Sequence, residues 1–179
     1  MKWLKRIVIV VLVIVSIPMI IALFVKKEYT VERVVRIEKP TNEVFDYLVL
    51  LKNQDEFSVW AKIDPSMETY YEGIDGTVGF MAGWKSDNPD AGHGEQTILE
   101  IIPNERISYE LKFIEPFQSV SYAHLNLNKI NDTSTQVIWT FEGKTPYPFN
   151  IMFLFLDFEA MIGGDLESGL KNLKAILEH

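Results

Sequence analysis

RISYELKF, residues 106–113, decides how this chain folds. Ile107, Tyr109, Leu111 and Phe113 alternate with Ser108, Glu110 and Lys112. That period of two marks a strand with one face buried and the other wet, the pattern of an antiparallel sheet. Residues 95–102 upstream read as a second strand, closed by Pro103-Asn104. Downstream, residues 119–128 and 135–142 read as a strand pair joined through Asn131-Asp132-Thr133, with Val137, Trp139 and Phe141 sharing one face.

Working outward, residues 67–71 give a short strand and Gly73-Ile74-Asp75-Gly76 a turn. Residues 77–84 predict a further strand, and residues 86–94 (SDNPDAGHG) a polar loop. The β-branched stretch 29–37 (YTVERVVRI) is another strand, stopped by Lys39-Pro40-Thr41. Thr41 is suited to cap a helix in which Val44, Phe45, Leu48 and Leu51 fall at helical spacing. A second short helix is expected over 54–60. Residues 148–178 predict one long helix, with stripes Phe149, Phe153, Leu156, Ala160 and then Leu166, Leu170, Leu173, Leu177. Gly163-Gly164 lies between the stripes as an expected kink. Strands clustered between helices define an α+β domain with an antiparallel sheet.

The N-terminus has a different character. Residues 7–25, IVIVVLVIVSIPMIIALFV, contain no charge and only Ser16 as a polar residue. As a helix at about 1.5 Å per residue the run spans roughly 28 Å, close to the hydrocarbon thickness of a bilayer. Pro18 is tolerated in a membrane helix. A cleaved signal peptide would end in small residues, whereas this run ends Ala22-Leu23-Phe24-Val25-Lys26-Lys27. The reading is one transmembrane anchor with basic flanks over residues 1–27 and one domain over 28–179. Lys2, Lys5 and Arg6 precede the run and only Lys26 and Lys27 follow it, which biases the domain towards the extracytoplasmic side.

Beyond Lys27 the chain holds 12 Lys+Arg against 25 Asp+Glu, a formal −13. That charge repels nucleic-acid phosphates and anionic lipid alike, so no nucleic-acid partner is expected. With no cysteine, disulfides and thiol chemistry are excluded. The chain has three histidines, His93, His124 and His179. No G-x-S-x-G, H-E-x-x-H, P-loop or EF-hand pattern occurs, and neither a metal nor a cofactor is expected.

Several stretches carry a family resemblance: KPTNEVFDYL (39–48), FSVW (57–60), GTVG (76–79) with Trp84 beyond it, GHGE (92–95), IIPNERISYE (101–110) and DLESGLKNLK (165–174). In that order they resemble the START-like or Bet v 1-like superfamily (SRPBCC), in particular its polyketide cyclase/dehydrase and lipid-transport group. The resemblance implies a helix-grip: a curved antiparallel sheet wrapped around a long C-terminal helix, with two short helices after the first strand. It also implies a cavity between sheet and helix for an apolar ligand, without identifying that ligand.

Trp60, Trp84, Tyr109, Phe113, Trp139, Phe141, Phe149 and Phe153 are the candidates to line such a cavity, and Asp157 stands at the edge of the helical stripe as a possible anchor. His93 and Glu95 flank Gly94 and point the same way on a strand, an arrangement capable of acid–base work. Three functional readings follow: a membrane-anchored binder of a lipid or other hydrophobic small molecule, a cyclase- or hydrolase-type enzyme, and a protein-interaction module without ligand. The sequence leaves the oligomeric state open.

Overall fold

The computed structural model describes residues 2–179. Helix α1 (Lys2–Ala22) precedes strand β1 (Glu28–Ile37). Short helices α2 (Thr41–Leu48) and α3 (Gln54–Phe57) follow. Six more strands come next: β2 (Glu68–Glu72), β3 (Met81–Lys85), β4 (His93–Ile102), β5 (Arg106–Glu115), β6 (Ser119–Asn131) and β7 (Ser134–Lys144). A 3-10 segment (Phe149–Leu154) and the long helix α4 (Phe158–Glu178) close the chain.

The seven strands form one antiparallel sheet in the order β1-β7-β6-β5-β4-β3-β2. The last six strands follow one another in space as in sequence, and β1 closes on β7. The alternation in β5 is borne out. Ile107, Tyr109 and Leu111 are buried and Phe113 is half-buried on the inner face; of the outward residues Lys112 is exposed, Glu110 half-buried and Ser108 buried under the polar row of the outer face. Helix α4 packs on this inner face chiefly against β1, burying Leu166, Leu170 and Leu173. Helix α2 buries Val44, Phe45 and Leu48 at the spacing expected. The sheet therefore curls over α4 as a helix-grip.

Four expectations are corrected. Thr41 is the first helical residue rather than the cap, and its hydroxyl is shared with that of Thr135 at 3.1 Å. The second helix stops at Phe57 and a 3-10 turn covers Trp60–Lys62. The strand expected from residue 77 begins only at Met81, because Gly79 adopts φ +90° and residues 77–80 close a turn from Thr77 O to Phe80 N. The single helix expected from Pro148 is broken: residues 149–154 form a 3-10 segment and Asp157 caps a new helix by accepting from the Ala160 N–H at 3.0 Å. Helix α4 runs unbroken through Gly163, whose missing Cβ leaves room for the Arg33 guanidinium to lie against the helix.

Helix α1 is long and apolar enough over Trp3–Ala22 to cross a membrane, and none of that stretch is buried against the domain apart from its end. The same length and composition describe a signal sequence.

Candidate functional site

The inner face of the sheet carries the aromatic residues. Trp139 on β7 is 2% exposed and sits at the centre. Its ring lies edge-on to Phe57 (5.6 Å) and to Trp60 (5.9 Å), and Trp60 reaches Phe141 at 6.4 Å. Edge-on pairs place the positive ring edge over the negative face and contribute about 0.5–1.5 kcal/mol each beyond area burial. A Cβ on Gly169 of α4 would fall 2.8 Å from Trp139 Cζ3, so helix and indole are in close contact. Trp60 Nε1 donates to Asp165 on α4 at 3.1 Å, and Asn172 of α4 donates to the Phe57 carbonyl at 3.0 Å. These two bonds hold the segment after α2 against the helix.

Tyr109 lies on the same face, 1% exposed. Its hydroxyl is buried and, among the described residues, has no hydrogen-bond partner. Burial pushes its pKa far above the ordinary tyrosine range, with Asp75 adding to the effect. The group therefore stays protonated and is available as a donor. Nearby on the inner face, Gln96 pairs side chain to side chain with Gln54 at 3.1 Å.

The expected cavity residues divide into groups. Trp60, Trp139 and Phe141 meet in the centre, and Tyr109 lies on the same face two strands away, with Ala123 between it and Phe141. Trp84 and Phe113 form a separate edge-on pair at 6.0 Å towards β3, with Trp84 Nε1 donating to the Ala91 carbonyl at 3.0 Å. Phe153 packs instead with Tyr29 (5.4 Å) and Phe158 (4.9 Å) beside β1. Phe149 stands 62% exposed, outside the sheet–helix interior. Asp157 is exposed and occupied as the α4 cap.

His93 and Glu95 do come together, but on the outer face. Tyr70 Oη lies 3.2 Å from His93 Nε2 and donates to Glu95 at 3.4 Å. Lys112 approaches Glu95 at 3.9 Å. On β4, Gly94 and Gln96 turn inward, so their neighbours His93 and Glu95 turn outward. His124 is outward too, with Nδ1 3.0 Å from Ser108 Oγ. Among the described residues, no group of three or more His, Asp or Glu is placed to hold a metal.

Sequence reasoning missed Tyr29, Phe57, Phe158, Asp165 and Asn150. Tyr29 opens the alternation that continues through Val31, a signal present in β1. Asn150 is the lone polar residue in FNIMFLFL and is fully buried, its Nδ2 donating to the Ala22 and Val25 carbonyls at 2.7 and 2.9 Å. A crevice of about 400 Å³ is lined by Lys26, Tyr29, Thr30, Val31 and residues 153–159. The Tyr29 ring stacks on Phe141 at 6.2 Å, which links the crevice to the central aromatic group.

A seven-stranded antiparallel sheet curled over a long C-terminal helix, with short helices after the first strand, is the Bet v 1-like helix-grip. Solved structures with this fold include the protein MLL2253 from Mesorhizobium loti, at TM-score 0.60 and 16% identity over 83% of this chain and 96% of that one. Ara h 8.0201 matches at TM-score 0.56 and 14% identity, covering 84% and 97%. The Aha1 dimer from Colwellia psychrerythraea matches at TM-score 0.53 and 13% identity, covering 84% and 96%. No protein-family model matches the chain, and the curated proteins hold no significant match.

Proposed function

We propose that this chain is a membrane-anchored binding protein for a lipid or other hydrophobic small molecule, held between the sheet and α4. Residues 1–27 serve as the anchor and residues 28–179 as the binding domain, on the extracytoplasmic side that the basic flanks favour. The observation that carries the reading is the Tyr109 hydroxyl, buried on the inner face of the sheet with no partner among the described residues. A buried donor left unpaired costs about 1–3 kcal/mol. An apolar ligand carrying one acceptor would recover that cost while its hydrocarbon met Trp60, Trp139 and Phe141. The helix-grip commonly holds hydrophobic ligands, and the crevice beside Tyr29 borders the interior, with the Tyr29 ring stacked on Phe141 between them.

The test is native mass spectrometry of the full chain in detergent, with organic extraction of bound material and titration by an apolar fluorophore. A defined apolar molecule that co-purifies, and stoichiometric fluorophore binding weakened about tenfold by Tyr109→Phe or Trp139→Phe, is the expected result. A ligand-free chain that ignores the fluorophore overturns the proposal.

A second reading has its own observation. Trp139 is wedged against Gly169, Phe57 and Trp60, and a filled interior suits a domain that recognises proteins by its surface. The cyclase- or hydrolase-type reading has less support, because His93, Glu95 and Asp157 all lie outside the interior.

A further inference from the structure

Helix α1 does not hang from the domain on a loose linker. The buried amide of Asn150 clasps the Ala22 and Val25 carbonyls, and the Thr145 N–H donates to the Lys27 carbonyl at 2.8 Å. Ala22 is itself completely buried against the domain. The last turn of α1 and the 3-10 segment are therefore one fixed unit. Where the apolar helix ends, the segment Phe149–Leu154 begins its contact.

That segment is unusual for a surface. Phe149 is 62% exposed, Leu154 56% and Phe155 79%, and Phe24 at the helix exit is 86% exposed. Contiguous apolar exposure of this kind marks a contact surface rather than ordinary solvent-facing residues. Sheet topology puts a further exposed aromatic, Phe117 (80%), in the β5–β6 connection, at the same end of the sheet as the start of β1. Lys26 and Lys27 stand at the junction, where long basic side chains reach headgroups from an apolar stem.

We propose that the apolar segment around Phe149, Leu154 and Phe155, together with Phe24, is a second membrane contact that seats the domain on the lipid surface. This rests on the reading of α1 as an anchor. The occupant of the patch is the bilayer itself, because the patch is fixed to the end of the apolar helix and continues it. Aromatic residues favour the headgroup boundary, and apolar side chains there enter it by roughly 5–10 Å. Seated so, the crevice lined by Lys26, Tyr29 and residues 153–159 opens at the bilayer, and a lipid enters it without crossing water.

The absence of cysteine makes the test direct, since each variant carries one label site. Full-length chains with Val13→Cys, Leu154→Cys, Phe155→Cys or Ile74→Cys are nitroxide-labelled and reconstituted in phosphatidylcholine vesicles. Collision with oxygen and with a water-soluble nickel chelate is then measured. Ile74 is 75% exposed in the β2–β3 turn, at the far end of the sheet, and reports water. The expected result is a deep label at 13, and nickel collision at 154 and 155 several-fold lower than at 74. A deep label at 13 with positions 154 and 155 as accessible as 74 overturns the seat and leaves the anchor standing. A water-exposed label at 13 overturns both.

Discussion

The two faces of the one sheet carry different chemistry. On β7 the inward residues Val137, Trp139 and Phe141 are buried, while of the outward residues Gln136 and Ile138 are half-buried and Thr140 is buried. The inner face is aromatic, and its ionisable groups are the tyrosines Tyr29, Tyr71 and Tyr109 and the Arg33 that lies along α4. The outer face carries a polar row across five strands. Glu100 faces Ser108, Ser108 faces His124, His124 faces Thr140, and Thr140 faces Glu32. Both internal histidines belong to this outer face. The difference teaches that the groups able to titrate near neutral pH and the groups able to enclose an apolar molecule are segregated by the sheet. A binding reading uses the inner face without any help from the outer one, whereas acid–base chemistry would need a substrate on the wet side.

The contrast can be broken most strongly at Trp139. Trp139→Ala removes a fully packed indole and should cost about 3–5 kcal/mol in denaturant unfolding. Ile138→Ala, one residue away on the other face, should cost well under half as much. Equal losses would mean that the outer face is covered by something and is also a core.

A finer comparison sets Tyr109 against Ser108. Tyr109→Phe deletes an unpaired buried hydroxyl and should leave unfolding stability unchanged or raised by up to about 1 kcal/mol. Ser108→Ala takes the partner from His124 and should lower stability by about 1 kcal/mol. A large loss from Tyr109→Phe would show that the hydroxyl has a structural partner and would remove the main support for a ligand there.

The smallest effect concerns pH at the far end of α4. The Glu38 backbone N–H, with Lys174 second, holds the Glu178 carboxyl below the ordinary carboxylate range. Because the folded pKa is the lower one, its contribution is present above the unfolded value and is lost as pH falls through the folded value. Glu178→Gln should therefore lower stability slightly at neutral pH and not in acid. Loss of the same size at both pH values would show that the effect is not electrostatic.

Much of this architecture was legible from local pattern. The alternation of residues 106–113 gave the half-buried strand, and the helical spacing of Leu166, Leu170 and Leu173 gave the face of α4 that meets it. Both follow from geometry internal to each element, where side chains repeat every 2 or 3.6 residues. The central site was partly legible for the same reason: Tyr109, Trp139 and Phe141 sit on alternating strands and all proved to be inward. His93 and Glu95 share a face, as their spacing requires, but spacing cannot say which face. The inward turn of Gly94, covered by Trp84 from the next strand, decides it.

The sequence by itself determined an apolar N-terminal helix followed by an acidic α+β fold, because composition and periodicity are properties of contiguous residues. Only the tertiary structure decided what becomes of residues 149–157. Taken alone they have the apolar spacing of a helix. In the folded chain Asn150 turns to satisfy carbonyls more than 120 residues earlier, and Asp157 caps a new helix after the break. A buried amide must find partners wherever the fold presents them, and those partners lie at the end of α1.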